Sequence, residues 1–554
     1  MSDKSWLLQE DLREYVLNKM RTEQWLTLHD SRERRESRQL VDDLLFHCCM
    51  IPTSRIPEEL KRSDWHDCSI DGQPGCVGFT KGKRGTIEYK RFGSFYDYEP
   101  LIIERDFGGV KDGYKELNEE FRLYHNLFFD EQKNTFQKVL DNGDLEDVVK
   151  MNGDYIGAHL KQVRQFLGIK DMALCLCFTF CRWSYKTLEE LGIDEDRIAF
   201  EHTNDSARFS FTCMTWRDKF GGDTRASFSR MIGKVILTGL PKEKSGIWPY
   251  KQDEEEEREY PKYVIKTDEN GDPVSYTCNH HMLGNFFGAN PDAPQYLTRV
   301  FFKREVLEKY YNDPKYTVHD GHLTCGHMWS MYIDNNLKNY VSAYLGDLGR
   351  DLPFEDHAHW LAHNVVPGEA ISKTSLKRDF YAQFSEPEKA DLLFRHRFSI
   401  FRKDWEEKNS WELFGELPKK DAHHLNSLHI PLRNTQAEFD NQILSLAHVL
   451  IESINIEELI KHCSRQYINK EKQGSITWLS RFMSEKSCAD AELHISFLRD
   501  LQKLRSKGAA HKKGKEYDAL LKKFGIDKVG YQIGFERILL KAINFIEYLK
   551  GCFA

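Results

Sequence analysis

The sequence predicts a multidomain α+β protein in which a large mixed α/β N-terminal region is followed by an all-α helical bundle. Three observations predict it. At 554 residues the chain is longer than one hydrophobic core organises, so about two to four domains are expected. Its composition, 40% hydrophobic and 13% aromatic, is that of a folded chain and excludes general disorder. The hydrophobic period also changes along the chain, from short β-branched and aromatic runs between turn signals to long stripes at helical spacing. No repeat of fixed period is visible, which argues against a solenoid or propeller.

Residues 6–50 read as helical, with Leu12, Val16 and Met20 spaced like one helix face. The Arg/Glu-rich stretch 31–38 reads as a solvated helix surface, and 51–84 as a linker or irregular loops. From residue 85 strands and turns dominate. Asp141-Asn142-Gly143-Asp144 separates two strand-like runs, as does the turn-rich stretch from Asp268 to Pro273, and both predict β-hairpins. The apolar run Met172 to Trp183 predicts a buried strand preceded by a helix over Ile156 to Leu167, and Asp253 to Glu257 predicts an exposed acidic loop. A helix near Arg304 to Tyr311 and strands around Tyr316 to Asp320 and Met328 to Ile333 continue the mixed pattern.

The last part is all helix. Thr435 and Glu438 form a capping-box pattern opening a helix with Phe439, Ile443, Leu446, Leu450 and Ile454 on one face. A second helix carries Leu493, Phe497, Leu501 and Leu504, and a third Phe535, Ile538, Leu539, Ala542, Ile546 and Leu549. The expected division is therefore 1–84 (helical segment and linker), 85–300 (an α+β sensor or regulatory domain), 301–430 (its continuation and a helical connector) and 431–554 (the bundle).

Charge is distributed unevenly. The whole chain carries −8, but residues 431–554 hold 20 Lys/Arg against 15 Asp/Glu, a net +5, which leaves −13 for the first 430. Within 501–515 stand Lys503, Arg505, Lys507, Lys512, Lys513 and Lys515 with no acid, so a phosphate-bearing partner would be drawn there first. Thirteen scattered cysteines, an odd number, predict reduced thiols and a cytoplasmic setting. No window approaches the ~18 apolar residues of a membrane span, and the N-terminus lacks a basic start followed by an apolar run.

The second bundle helix approaches Gly508, the residue type that best accepts the left-handed backbone of a helix C-terminus. Arg505 lies near its apolar side, and His511 follows the turn Lys507-Gly508-Ala509-Ala510, so the two side chains are expected to face one pocket. RNA cleavage without metal needs a base, a proton donor and a cation for the phosphate. Histidine titrates near neutrality, while guanidinium stays charged and grips phosphate through two parallel hydrogen bonds.

An arginine and a histidine separated by five residues near the end of an inner helix, in a C-terminal bundle, resemble the HEPN superfamily. The resemblance implies that Arg505 and His511 are a catalytic pair, that the bundle dimerises to bring two pairs into one cleft, and that the product ends in a 2′,3′-cyclic phosphate. No metal or cofactor is implied. Many members are bacterial toxins or antiphage effectors, which makes the N-terminal region the expected holder of a trigger. Lys507, Lys512 and Lys513 are the expected grips on RNA. The alternative is a bundle that binds RNA, a nucleotide or a protein without cutting.

Other motifs are weaker. Cys278, His280 and His281 with His322, Cys325 and His327 are zinc-ligand types whose spacing fits no finger well. His359 and His363 lack the adjacent glutamate of a zinc protease, Trp360 standing in its place. Gly78 to Arg84 misses both the spacing and the hydroxyl of a phosphate loop, and no G-x-S-x-G nominates a nucleophilic serine.

Overall fold

The computed structural model describes residues 2–31, 33–37, 40–62, 77–81, 86–90, 97–216, 225–247, 259–366, 368, 370–418, 421, 423–464, 474–508 and 514–553. It is mixed α/β, with a large N-terminal sheet region and a C-terminal helical region. The chain forms two compact units, residues 1–140 with 144–258, and residues 141–143 with 259–554.

The first unit is built on an eleven-stranded antiparallel sheet. Its centre is Met172–Ser184, paired on one side with Leu40–Pro52 and on the other with Ser227–Thr238. The apolar run predicted this strand, and the structure supplies the reason. Leu174, Leu176, Phe178 and Phe180 pack into one buried cluster with Phe46, Cys48 and Met50, while Ala173, Cys175 and Cys177 pack into another with Cys49, Ile51 and Ile236. A strand buried on both faces has no solvent side to carry polar residues. The helix Leu160–Lys170 covers the first cluster with Val163, Phe166 and Leu167. It starts later than expected, because Tyr155–His159 is a strand paired with Trp25–Asp30.

The helical reading of residues 6–50 holds only to residue 19. Helical turns run Asp3–Leu7, Glu10–Glu14 and Tyr15–Lys19, and then the chain enters Trp25–Asp30, Glu33–Ser37 and Leu40–Pro52. Within the stretch read as a solvated helix, Glu33–Ser37 is thus a strand paired with Leu40–Pro52. Partners distant in sequence decide this, since Leu40–Pro52 is zipped along its length to Met172–Ser184. The N-terminal segment is therefore part of the large sheet and not a separate helical element. The acidic run 253–257 lies outside the described residues.

One ion pair is sealed inside this unit. Lys234 and Glu59 are both fully buried and donate and accept one hydrogen bond, and the other Glu59 oxygen accepts from Tyr98 at 2.5 Å. Removing one member strands the other charge out of water.

In the second unit, residues 259–365 form three small antiparallel sheets around a core that includes Tyr263, Phe302, Tyr310 and Trp360. Both predicted hairpins are present, Thr135–Val139 with Leu145–Asn152 in the first unit and Lys262–Thr267 with Pro273–Thr277 here. The helical part begins earlier than residue 431. Ala390–Asn409 carries Phe394, Phe398, Phe401 and Trp405 at helical spacing into the same core as the later helices. Gln436–Ala447, Ser475–Glu485, Ala491–Gly508 and Ile526–Cys552 complete it. All six apolar positions predicted for the last helix are buried. Leu493 is not; it is 71% exposed, and Ile495 and Leu498 take the core side of that helix. No helix among the described residues is long and apolar enough to cross a membrane.

Two outcomes follow. Glu59→Ala is expected to destabilise the first unit by about 3–5 kcal/mol in chemical denaturation. In the second unit, burial pushes His357, His424 and His429 each down to about 4. They stay neutral when folded while the unfolded chain takes up protons below its ordinary value of 6.5, so stability falls between pH 6.5 and about 4 and levels off below. Denaturation midpoints measured near pH 7 and near pH 5 are expected to be lower at the acid value; equal midpoints would contradict the neutral assignment.

Candidate functional site

The site grows from a change of helical pitch. Gln436–Ala447 opens with Thr435 accepting from the Glu438 amide at 3.4 Å, and the Glu438 carboxylate turns back to accept from the Arg433 amide at 2.9 Å. At His448–Glu452 the helix widens to π geometry, with the Ser453 amide donating to the His448 carbonyl. Such single wide turns interrupt regular packing and are frequent at functional positions. Val449, Leu450 and Ile451 are buried in the core, and His448 and Glu452, four residues apart, stand together on another side of the turn.

Arg505 meets this turn from the last turns of Ala491–Gly508, where Leu501 and Leu504 are buried beneath it. Its Nη1 is 2.5 Å from Glu452 Oε1. The other carboxylate oxygen, Oε2, is 2.6 Å from His448 Nδ1, a close contact without hydrogen-bond alignment. The His448 ring stacks on His424, with centroids 4.2 Å apart and planes within 6°, and His424 Nδ1 is 3.0 Å from Ser445 Oγ. Burial, with His448 and His423 adding to it, holds His424 neutral, its pKa pushed down to about 4. One carboxylate thus bridges a guanidinium and an imidazole, beside a second imidazole that stays uncharged at neutral pH. Arg505 is 33% and Glu452 34% exposed, so the guanidinium edge remains reachable from solvent.

Of the residues nominated by sequence, Arg505 is in this cluster. His511, Lys512 and Lys513 lie outside the described residues. Lys507 points elsewhere, 2.7 Å from Glu516 in an exposed ion pair that holds the Glu516 carboxyl below its ordinary value. Ser506 donates back to the Gln502 carbonyl of its own helix at 2.9 Å. Gly508 does not adopt the left-handed backbone expected of it. It is the last helical residue described, and an added Cβ there would press on a neighbour, lying 2.9 Å from Asp440 Oδ1, the atom that accepts from Tyr517 at 2.5 Å.

His424, His448 and Glu452 were not nominated by sequence. His448 and Glu452 sit at i and i+4 within an apolar stripe, where a pair of polar residues reads as the solvated edge of a helix. Their convergence with Arg505 depends on packing between segments about fifty residues apart.

Among the described residues no group of three or more His, Cys, Asp or Glu is placed to hold a metal ion. Cys278 and Cys325 are buried in the mixed core, and burial pushes the Cys278 thiol up to about 12. His359 Nε2 is 2.8 Å from the Val306 carbonyl, and His363 Nδ1 is 2.8 Å from the His359 carbonyl. Compared with protein-family models, with curated proteins and with solved structures, the chain matches none.

Gly508→Ala is expected to lower stability by about 1–3 kcal/mol by pressing on the Asp440–Tyr517 hydrogen bond. Gly551→Ala, where nothing lies within 4 Å, is the control and is expected to be neutral or slightly stabilising in the same thermal melts.

Proposed function

We propose that this protein is a regulated, metal-independent endoribonuclease of HEPN type, acting in antiphage defence, in which Arg505 and His511 cleave RNA. The observation that carries the proposal is the setting of Arg505. It is a half-exposed guanidinium fixed at the end of an inner bundle helix, held by Glu452 beside His448 and His424, and followed by a basic stretch without acids. A cation so anchored offers fixed charge to a phosphate at low reorganisation cost. Glu452 is then a positioning residue, and His511 exchanges the protons.

Dimerisation through the bundle is part of the proposal. Leu493, Ile533 and Leu540 are exposed on two of its helices, which is apolar surface suited to a second copy. The first unit supplies a place for a trigger, an open cleft of about 810 Å³ lined by Tyr114, Phe129 and Phe136 with Lys115, Glu116 and Arg122.

The test compares wild type, Arg505→Ala and His511→Ala for growth arrest on expression and for cleavage of total RNA in excess EDTA, with product ends mapped. Cleavage by wild type leaving cyclic phosphate ends, reduced about 10²-fold or more in both variants, is expected. Variants that cut like wild type would overturn the assigned pair. RNA retained by a wild type that stays inert with every candidate trigger would favour the binding alternative.

A further inference from the structure

Independently of that reading, the second unit contains a cluster of three cations around one buried carboxylate. Lys389 immediately precedes the helix Ala390–Asn409, Arg395 lies on that helix, and Arg304 reaches the same place from the turn Arg304–Leu307. Asp391 stands one turn before Arg395 on that helix and two residues after Lys389, and Ile430 links it to Arg304, donating its amide to Asp391 Oδ2 while its carbonyl accepts from Arg304 Nη2; all three cations act electrostatically on Asp391. Asp391 is buried, and its two oxygens are occupied by backbone, Oδ2 accepting from Ile430 at 2.9 Å and Oδ1 from Leu392 at 2.9 Å.

The cations are matched only in part. Arg395 spends Nη1 on the carbonyls of Val318 and Asn426, each at 2.8 Å, and its Nη2 and Nε are buried without a hydrogen-bond partner among the described residues. Arg304 gives Nη2 to the Ile430 carbonyl at 3.3 Å, and its Nε is likewise buried and unmatched. The Lys389 side chain makes no hydrogen bond or ion pair among the described residues. Burial, with Arg304 and Arg395 adding to it and Asp391 and Glu536 opposing, pushes its ammonium down to about 8. His429, stacked on Tyr311 with centroids 3.8 Å apart, is neutral and adds no charge. Three cations thus act on the one buried carboxylate of Asp391, and Glu536 acts on Lys389 as well.

Buried unmatched guanidinium nitrogens and an unpaired half-buried ammonium are costly unless an anion completes them. We infer that Arg304, Lys389 and Arg395 form a binding site for a phosphate group, at the place where the mixed and helical parts of the second unit meet around Asp391. Two guanidinium groups and one ammonium supply planar and point-like donors together, the set that recognises tetrahedral phosphate oxygens. Because the ligands come from the 304–307 turn, from residue 389 and from the following helix, binding would tie these segments together.

The test uses the full chain with inorganic phosphate, with AMP as the second arm, against chloride at matched ionic strength. Phosphate at several times its dissociation constant is expected to raise the melting temperature by about 2–4 °C and to broaden the ³¹P resonance. A larger response to AMP would identify the phosphate as part of a nucleotide, an equal one as the free ion. Lys389→Gln, which loses no hydrogen bond, is expected to weaken binding about tenfold while leaving the ligand-free melting temperature equal to or above that of wild type. No response to either probe in wild type, or a variant that responds as wild type does, would overturn the site.

Discussion

Charged groups that leave water, wholly or in part, meet partners within this chain at three places. In the first unit Lys234 and Glu59, both fully buried, answer each other, with Tyr98 closing the remaining carboxylate oxygen. In the helical part Glu452 stands between Arg505 and His448. At the start of that part Asp391 is answered by backbone amides and outnumbered by cations. In a low-dielectric interior an unanswered charge costs more than a hydrophobic contact returns, so these groups fix which segments must meet. The apolar stripes permit several packings, and the charges select among them.

The π turn at His448–Glu452 shows how this selection reaches chemistry. A regular helix would carry Gln436–Ala447 onward with its apolar stripe unbroken. Within the wider turn His448 and Glu452, four residues apart, still lie on one side, as they would in a regular helix, while Val449, Leu450 and Ile451 remain in the core. The same carboxylate then orients a guanidinium from a helix that begins forty residues later. An anchored cation beside neutral imidazole is an arrangement suited to phosphate chemistry, and it costs little to hold in place because the surrounding core is tightly filled.

The two units use hydrophobic burial differently. In the first, a long strand is covered on both faces, and its neighbours in the sheet come from residues 40–52 and 227–238, far apart in sequence. In the second, small sheets and a helical bundle each have a core of their own, and Arg304, Lys389 and Arg395 gather near the junction of these parts.

What the sequence determined by itself is what short-range periodicity and turn chemistry can carry. Met172 to Trp183 was legible as a buried strand, both hairpins were legible from their Asn-Gly turns, and the last helix was legible residue by residue, as was the candidacy of Arg505. Tertiary structure decided what depends on partners distant in the chain. Leu40–Pro52 became a strand because Met172–Ser184 was there to pair with it, and Trp25–Asp30 because Tyr155–His159 was, although the apolar spacing over 6–50 read as a helix. Leu493 turned outward because Ile495 and Leu498 fitted the core better, and Gly508 came close to Asp440 without the left-handed backbone expected of it. The grouping of His424, His448 and Glu452 around Arg505, and of Arg304 and Lys389 around Asp391, has no sequence signature at all. Electrostatic and hydrogen-bond matching acts over a few ångströms in space, and only the folded chain brings those residues within that range.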